Sequence, residues 1–193
     1  MIQVFYCQYW GDELRQAIAK PCLMMWRKMC NPIIITMPES RNMSGREFQQ
    51  WRRKAAEQLS STEFYVLADD DCMPLGNRFL ERCEVLMRKY PEYAILGTDD
   101  YCAPYGADEI YETSTAGGIN VIRKGIIEVP EFNGQTWDGT MQGQQIRAKG
   151  YKVGRMRDVR RNHYGDGLST VWPDNYASSK TQIGYLGMGG VMV

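Results

Sequence analysis

The residues best suited to chemistry stand together in "FYVLADDDCMPLG", Phe64 to Gly76, where an apolar run ends in Asp69, Asp70 and Asp71. Adjacent carboxylates repel one another unless a positive charge lies beside them. In extended backbone Asp69 and Asp71 point to one side and Asp70 to the other. Two carboxylates on one side suit a hard divalent cation, Mg²⁺ or Mn²⁺, which completes its shell with water and phosphate oxygens. Such a cation would offset the repulsion and present positive charge to a diphosphate. The same triplet could equally be a solvated turn in which one Asp caps the next helix.

Other groups add to this picture. His163, the only histidine, lies in "VRRNHYGDG", a polar segment after the last expected strand. Its imidazole is either a surface group or a ligand for the cation. Arg52, Arg53 and Lys54 form a basic run that is either a solvated helix face or a source of phosphate contacts. Asp138 opens a helix in "TWDGTMQGQQIRAKG", as an N-cap or as a general base. Gly117 and Gly118 either form a bulge or let the backbone approach a ligand closely. Cys72 is poorly placed for a reactive thiolate, because acidic neighbours raise a thiol's pKa. No GxxxxGK[ST] phosphate loop and no GxSxG nucleophile turn occurs.

The elements that must position these groups alternate along the chain. "IQVFYC", "PIIITM", "EFYVLA" and "YAILG" read as four buried strands, with amphipathic helices between them. That pattern means βαβ units and a parallel sheet covered on both faces. The first helix starts at Gly11, and Pro21 marks a kink or break in it. Ser44, with Glu47 three residues on, predicts a capping box for the second. A third helix follows Pro74. "AGGINVIRKG" reads as a further strand with a basic end, and "YKVGRM" as the last. The expected class is α/β, a single Rossmann-like domain with a mostly parallel central sheet flanked by helices. Ligands of such sheets bind beyond the carboxyl ends of the strands. Gln8 and Tyr9, Glu39 and Ser40, the acidic triplet, and Thr98 to Asp100 would then share one rim.

Bulk properties narrow the classes. A chain of 193 residues suits one domain. Lys plus Arg and Asp plus Glu both number 23, so no global field attracts nucleic acid or an anionic membrane. Six cysteines without CxxC or zinc-type spacing are expected to be reduced thiols of a cytoplasmic protein. No run is apolar enough for a transmembrane helix, and the first residues do not read as a signal peptide.

Taken together, the blocks resemble a small GT-A-fold glycosyltransferase, close in pattern to glycosyltransferase family 2, over about residues 2 to 165. "WRRKAAEQLSSTEFYVLADDD" is similar to the family's arginine-bearing helix and DxD strand, with Arg53 in the arginine position. "AGGINVIRKG" resembles its Gly-Gly strand, beside donor sugar and acceptor. "WDGTMQGQQIRAKGYKV" resembles the block of the catalytic acidic pair. His163 falls where many such enzymes place a third metal ligand. The resemblance implies a nucleotide-diphosphate-sugar donor, with a UDP-sugar as the expected form, and a divalent Mn²⁺ or Mg²⁺. The metal would lie on Asp69, Asp71 and His163. It implies Asp138 as the base of an inverting displacement, and Gln8, Tyr9, Glu39, Arg53, Asp70, Gly117 and Gly118 as donor contacts. Residues 166–193 would form a tail packing on residues 1–165 or closing over them, with Tyr164 to Ser169 closing on bound donor.

Two departures from the family pattern stand out. Asp138-Gly139 replaces an acidic pair, which leaves a different acid or a retaining reaction open. "MPESRNMSG" replaces an acidic-Gly-Ser turn, with Glu39 the substitute reader of the nucleotide base. The acceptor is open among glycan, lipid-linked sugar, protein and nucleobase. Two further classes fit the acids: a DxD phosphohydrolase of the haloacid dehalogenase type, with Asp99 and Asp100 as its later pair, and a non-catalytic nucleotide-sugar-binding module. The former class carries its DxD on the first strand, whereas here it follows the third.

Overall fold

The computed structural model describes residues 2–8, 13–36, 44–99, 108–134 and 137–164. In chain order the elements are β1 (Gln3–Gln8), α1 (Glu13–Met29), β2 (Ile33–Thr36), α2 (Gly45–Leu59), β3 (Phe64–Asp69), β4 (Cys72–Pro74), α3 (Phe79–Lys89), β5 (Tyr93–Asp99), β6 (Ile110–Glu112), β7 (Asn120–Arg123), α4 (Gly139–Ala148) and β8 (Lys152–His163). The strands assemble in the order β2-β1-β3-β7-β5-β8-β4, with β6 added to β8. β1, β2, β3, β5 and β8 point the same way. β7 is inserted antiparallel between β3 and β5, while β4 and β6 run against β8. The result is the expected α/β architecture, with a sheet that is mostly parallel in strand direction.

Alternation along β3 explains the layers, since successive side chains go to opposite faces. Phe64, Val66 and Ala68 join Tyr6, Trp26 of α1 and Leu86 and Met87 of α3 in one core. Tyr65 and Leu67 join Phe5, Phe48 of α2 and Ile146 of α4 in the other. Two helices therefore cover each face, and the central strands must be apolar on both sides. Ser44 caps α2 as its sequence predicts, its Oγ accepting from the Glu47 N–H at 3.1 Å.

Four expectations need correction. β2 is not a buried strand. It is an edge, with only Ile35 buried and with Ile33 and Ile34 37% and 38% exposed. α1 continues through Pro21, which sits on the exposed side, where water can serve the carbonyl that loses its N–H partner. The strand expected from Ala116 begins only at Asn120, and it runs antiparallel to both neighbours. The last strand does not end at Met156 but continues to His163. Its register against β5 slips between Thr98 and Asp99 as the bulge bends the strand, pairing resumes at Arg160, and the next three residues pair with β4. β4 itself, three residues long and carrying Pro74, was not expected, and it holds an edge position that tolerates proline.

One polar knot fastens α3 to this bent strand. Arg82 donates to Glu109 and to Asp158, both at 2.6 Å. Tyr90 donates to Glu109 at 2.8 Å, and Lys89 also pairs with it. Hydrogen bonds from Lys89, Arg82 and Tyr90 hold the Glu109 carboxyl down at about 2, from an ordinary 4.5. A depressed carboxyl contributes stability that is complete above its ordinary value and is lost as pH falls toward the folded one. The urea midpoint of the wild type should therefore drop as pH falls from about 5 to about 2. Glu109→Gln should unfold earlier at neutral pH and show a shallower drop across that window.

Candidate functional site

The acidic triplet straddles a turn. Asp69 is the last residue of β3, Asp70 and Asp71 form the turn, and Cys72 starts β4. The extended alternation expected for Asp69 and Asp71 therefore does not hold, and each acid finds its own surroundings. Asp69 pairs with Arg52, whose side chain is 3% exposed. Arg52 reaches it from the inward face of α2, one turn from the buried Phe48 and Ala56. Asp70 is fully buried, and its backbone carbonyl accepts from the Tyr6 hydroxyl at 3.0 Å. Asp71 is also buried. Its Oδ1 lies 3.6 Å from His163 Nε2 and 3.5 Å from Cys72 Sγ, and its carbonyl accepts the Tyr164 N–H at 2.9 Å.

His163 is brought to Asp71 by strand pairing. It ends β8 directly opposite Cys72 of β4, and side chains of such a pair share a face. The donor atoms of Asp71, Cys72 and His163 all lie within 4.8 Å of one another. Burial pushes the Cys72 thiol up to about 12, more than a hydrogen bond with His163 relieves it.

Beside this corner lies a polar cleft of about 260 Å³. Arg52, Asp69, Gly118, Asn120, Asp138 and Gln142 are among its walls. Asp138 caps α4, its Oδ1 accepting from the N–H groups of Thr140 at 2.9 Å and Met141 at 3.0 Å. Its Oδ2 has no partner among the described residues. Arg53 donates to the Trp137 carbonyl at 3.1 Å, and its guanidinium sits 5.8 Å from the Trp137 ring centre. The Asn120 Oδ1 is buried without a hydrogen-bond partner among the described residues. Gly117 and Gly118 both have left-handed backbone, at φ +67° and +60°. A Cβ on Gly118 would overlap the Arg161 guanidinium, which is held by the Thr98 carbonyl at 2.9 Å and hydroxyl at 2.8 Å. The close approach that requires glycine there is thus made by the chain's own β8.

The structure brings Asp71 and His163 together, and it groups Asp69, Arg53, Gly117, Gly118 and Asp138 around the cleft. Asp69 is not in the cluster with Asp71 and His163. Gln8 ends β1 opposite Thr36, and Asp70 does not line the cleft. Tyr9, Glu39, Asp100 and residues 165–193, including the segment expected to close over donor, lie outside the described residues. Sequence reasoning favoured Arg53 over Arg52, although the four-residue spacing of Phe48, Arg52 and Ala56 marks Arg52 as the inward residue. It passed over Asn120 and Gln142, whose amides carry no motif.

The donor chemistry fits a divalent cation. A carboxylate and an imidazole lie a ligand-pair distance apart, 3.6 Å between Asp71 Oδ1 and His163 Nε2. The pairing of Asp69 with Arg52 removes the second carboxylate that Mg²⁺ would favour.

No family model matches the chain, and no curated protein matches it. Solved structures do. A197 from STIV aligns with a TM-score of 0.55 and 10% identity, over 84% of this chain and 85% of that one. The catalytic domain of Drosophila β1,4-galactosyltransferase 7, in complex with xylobiose, gives 0.51 and 14%, over 84% and 71%. GalNAc-T7 with UDP, GalNAc and Mn²⁺ gives 0.54 and 12%, over 83% of this chain but only 37% of that one. The chain has the GT-A fold. In this GT-A sheet the acids after β3 and the histidine ending β8 stand at the rim where ligands of open α/β sheets bind. Among the described residues no helix is long and apolar enough to cross a membrane, and no disulfide forms.

The Arg52–Asp69 pair is a partly buried link between α2 and β3. Arg52→Ala should lower unfolding stability by about 1–3 kcal/mol, between the values for surface and buried pairs. Arg53→Ala, which loses one hydrogen bond and a ring contact, should cost about 1 kcal/mol. Urea denaturation of both variants checks the order.

Proposed function

We propose that the chain is a divalent-cation-dependent glycosyltransferase that moves a sugar from a nucleotide-diphosphate-sugar, with UDP as the nucleotide, to an acceptor nucleophile. The observation that carries this reading is the meeting, at one rim of a GT-A sheet, of an Asp71–His163 donor pair and a cleft holding Asp138. A cation on Asp71 and His163 would supply positive charge to the departing diphosphate.

The chain's own residues do the rest. Asp138 is oriented by two backbone N–H groups on Oδ1, which leaves Oδ2 to take the acceptor's proton. A displacement aided by such a base inverts the sugar's configuration. The Asn120 Oδ1 offers an acceptor to a sugar hydroxyl. Arg53 lies on the cleft wall, where its guanidinium supports the donor's phosphates. Gly117 and Gly118 let β8's arginines pack behind that wall, which offers backbone to the donor.

Two measurements test this reading. UDP should raise the melting temperature in the presence of Mn²⁺ and not in EDTA, and Asp71→Ala should lose that gain. An equal gain in EDTA would remove the cation role. Asp138→Asn should retain donor binding while metal-dependent turnover of UDP-sugars falls about 10²–10⁴-fold. A wild type that binds UDP-sugars yet neither hydrolyses nor transfers them would be a binding module instead.

A further inference from the structure

The acid expected to complete the cation site, Asp69, is engaged by Arg52, and a thiol stands in the cluster instead. We infer that Cys72 is itself a ligand, so that Asp71, Cys72 and His163 form a three-donor seat for a borderline cation such as Zn²⁺ or Co²⁺ rather than for Mg²⁺. The inference rests on the glycosyltransferase reading for the cation's purpose but not for its geometry.

The distances suit coordination. With metal–sulfur bonds of about 2.3 Å and metal–oxygen or metal–nitrogen bonds of about 2.1 Å, tetrahedral geometry puts sulfur and oxygen about 3.6 Å apart and oxygen and nitrogen about 3.4 Å apart. Cys72 Sγ lies 3.5 Å from Asp71 Oδ1, and His163 Nε2 lies 3.6 Å from the same oxygen. Two edges of the polyhedron are therefore close to their final lengths. Softness points the same way, because thiolate and imidazole favour zinc-like ions while Mg²⁺ favours oxygen alone.

The frame is fixed before any ion arrives. Cys72 and His163 are locked opposite each other by the β4–β8 pairing, and the Asp71 carbonyl is held by the Tyr164 N–H. Three protein donors leave a fourth position for water or a diphosphate oxygen, as in open zinc sites. Asp71 and Cys72 are buried, but the His163 side chain is 20% exposed and gives the ion its way in. As the sulfur–metal bond forms, the thiol's proton passes to solvent.

Titration of the full chain with Co²⁺, without nucleotide, tests the inference. The wild type should show a thiolate-to-Co²⁺ charge-transfer band in the near ultraviolet, with the intense visible bands of four-coordinate Co²⁺. Cd²⁺ should give the corresponding sulfur band. Cys72→Ser should lose these bands and bind at least about 10-fold more weakly, since even outer partners of a ligand cost that much. Cys30→Ser, which changes a half-buried thiol elsewhere, should keep them. Asp71→Asn guards against a Cys72 variant that fails to fold: it should weaken binding yet keep the sulfur band at saturation. No sulfur band in the wild type, or one that survives in a folded Cys72→Ser, overturns the inference. Calorimetry with UDP separates the two readings. A sulfur band without nucleotide binding would uphold the seat and sink the transferase, and Mg²⁺-dependent UDP binding without a band would do the reverse.

Discussion

Three carboxylates cannot sit side by side at the end of a buried strand without compensation, and the rim of this sheet is arranged around that constraint. The turn after β3 separates the acids, and two of them meet different cationic or cationisable partners. Asp69 draws Arg52 inward from α2, and Asp71 draws His163 from the end of β8. These contacts tie a helix on one face and the far end of the last described strand to the same three residues. The cleft wall and the Asp71–His163 corner follow each other along the chain because Asp69 and Asp71 turn to different partners.

β8 makes the second of these contacts possible. Its first half is held between β5 and β6, while beyond the register shift Arg160 still pairs with Asp99 of β5 and Arg161 to His163 pair with β4. β5 ends at Asp99, so the last residues of β8 have β4 as their partner, and His163 faces Cys72. The same strand supplies Arg161, which fills the space a side chain at Gly118 would need. One strand thus places His163 at one corner of the rim and packs behind the cleft wall at the other. The knot of Arg82, Glu109 and Asp158 holds its middle against α3.

Much of the scaffold was legible in the sequence, because buried strands between covering helices leave an unmistakable apolar alternation. Phe64 to Leu67, Tyr93 to Gly97 and the Ser44 cap all follow from pattern and local chemistry. What was hidden depended on partners distant in sequence. β4 is too short to show a period. The extension "RDVRRNH" reads as polar, because Arg161 is buried through a bond to Thr98 that no local pattern announces. Ile33 and Ile34 look like core and are half exposed, since burial of an edge strand depends on what covers it. In the site, the resemblance named Asp71, His163 and Asp138, all of which lie at or beside the rim. Asp69 and Asp71 share a side only in extended backbone, and the turn after β3 parts them.

The long bent strand also sets when the site can come into being. Asp71 leaves the ribosome well before His163, and their junction needs β8 to be seated between β5 and β4. Until then Asp71 lacks the imidazole that stands beside it in the folded chain. The meeting of Asp71 and His163 is therefore a contact of long sequence separation, formed after the local strand and helix units have settled.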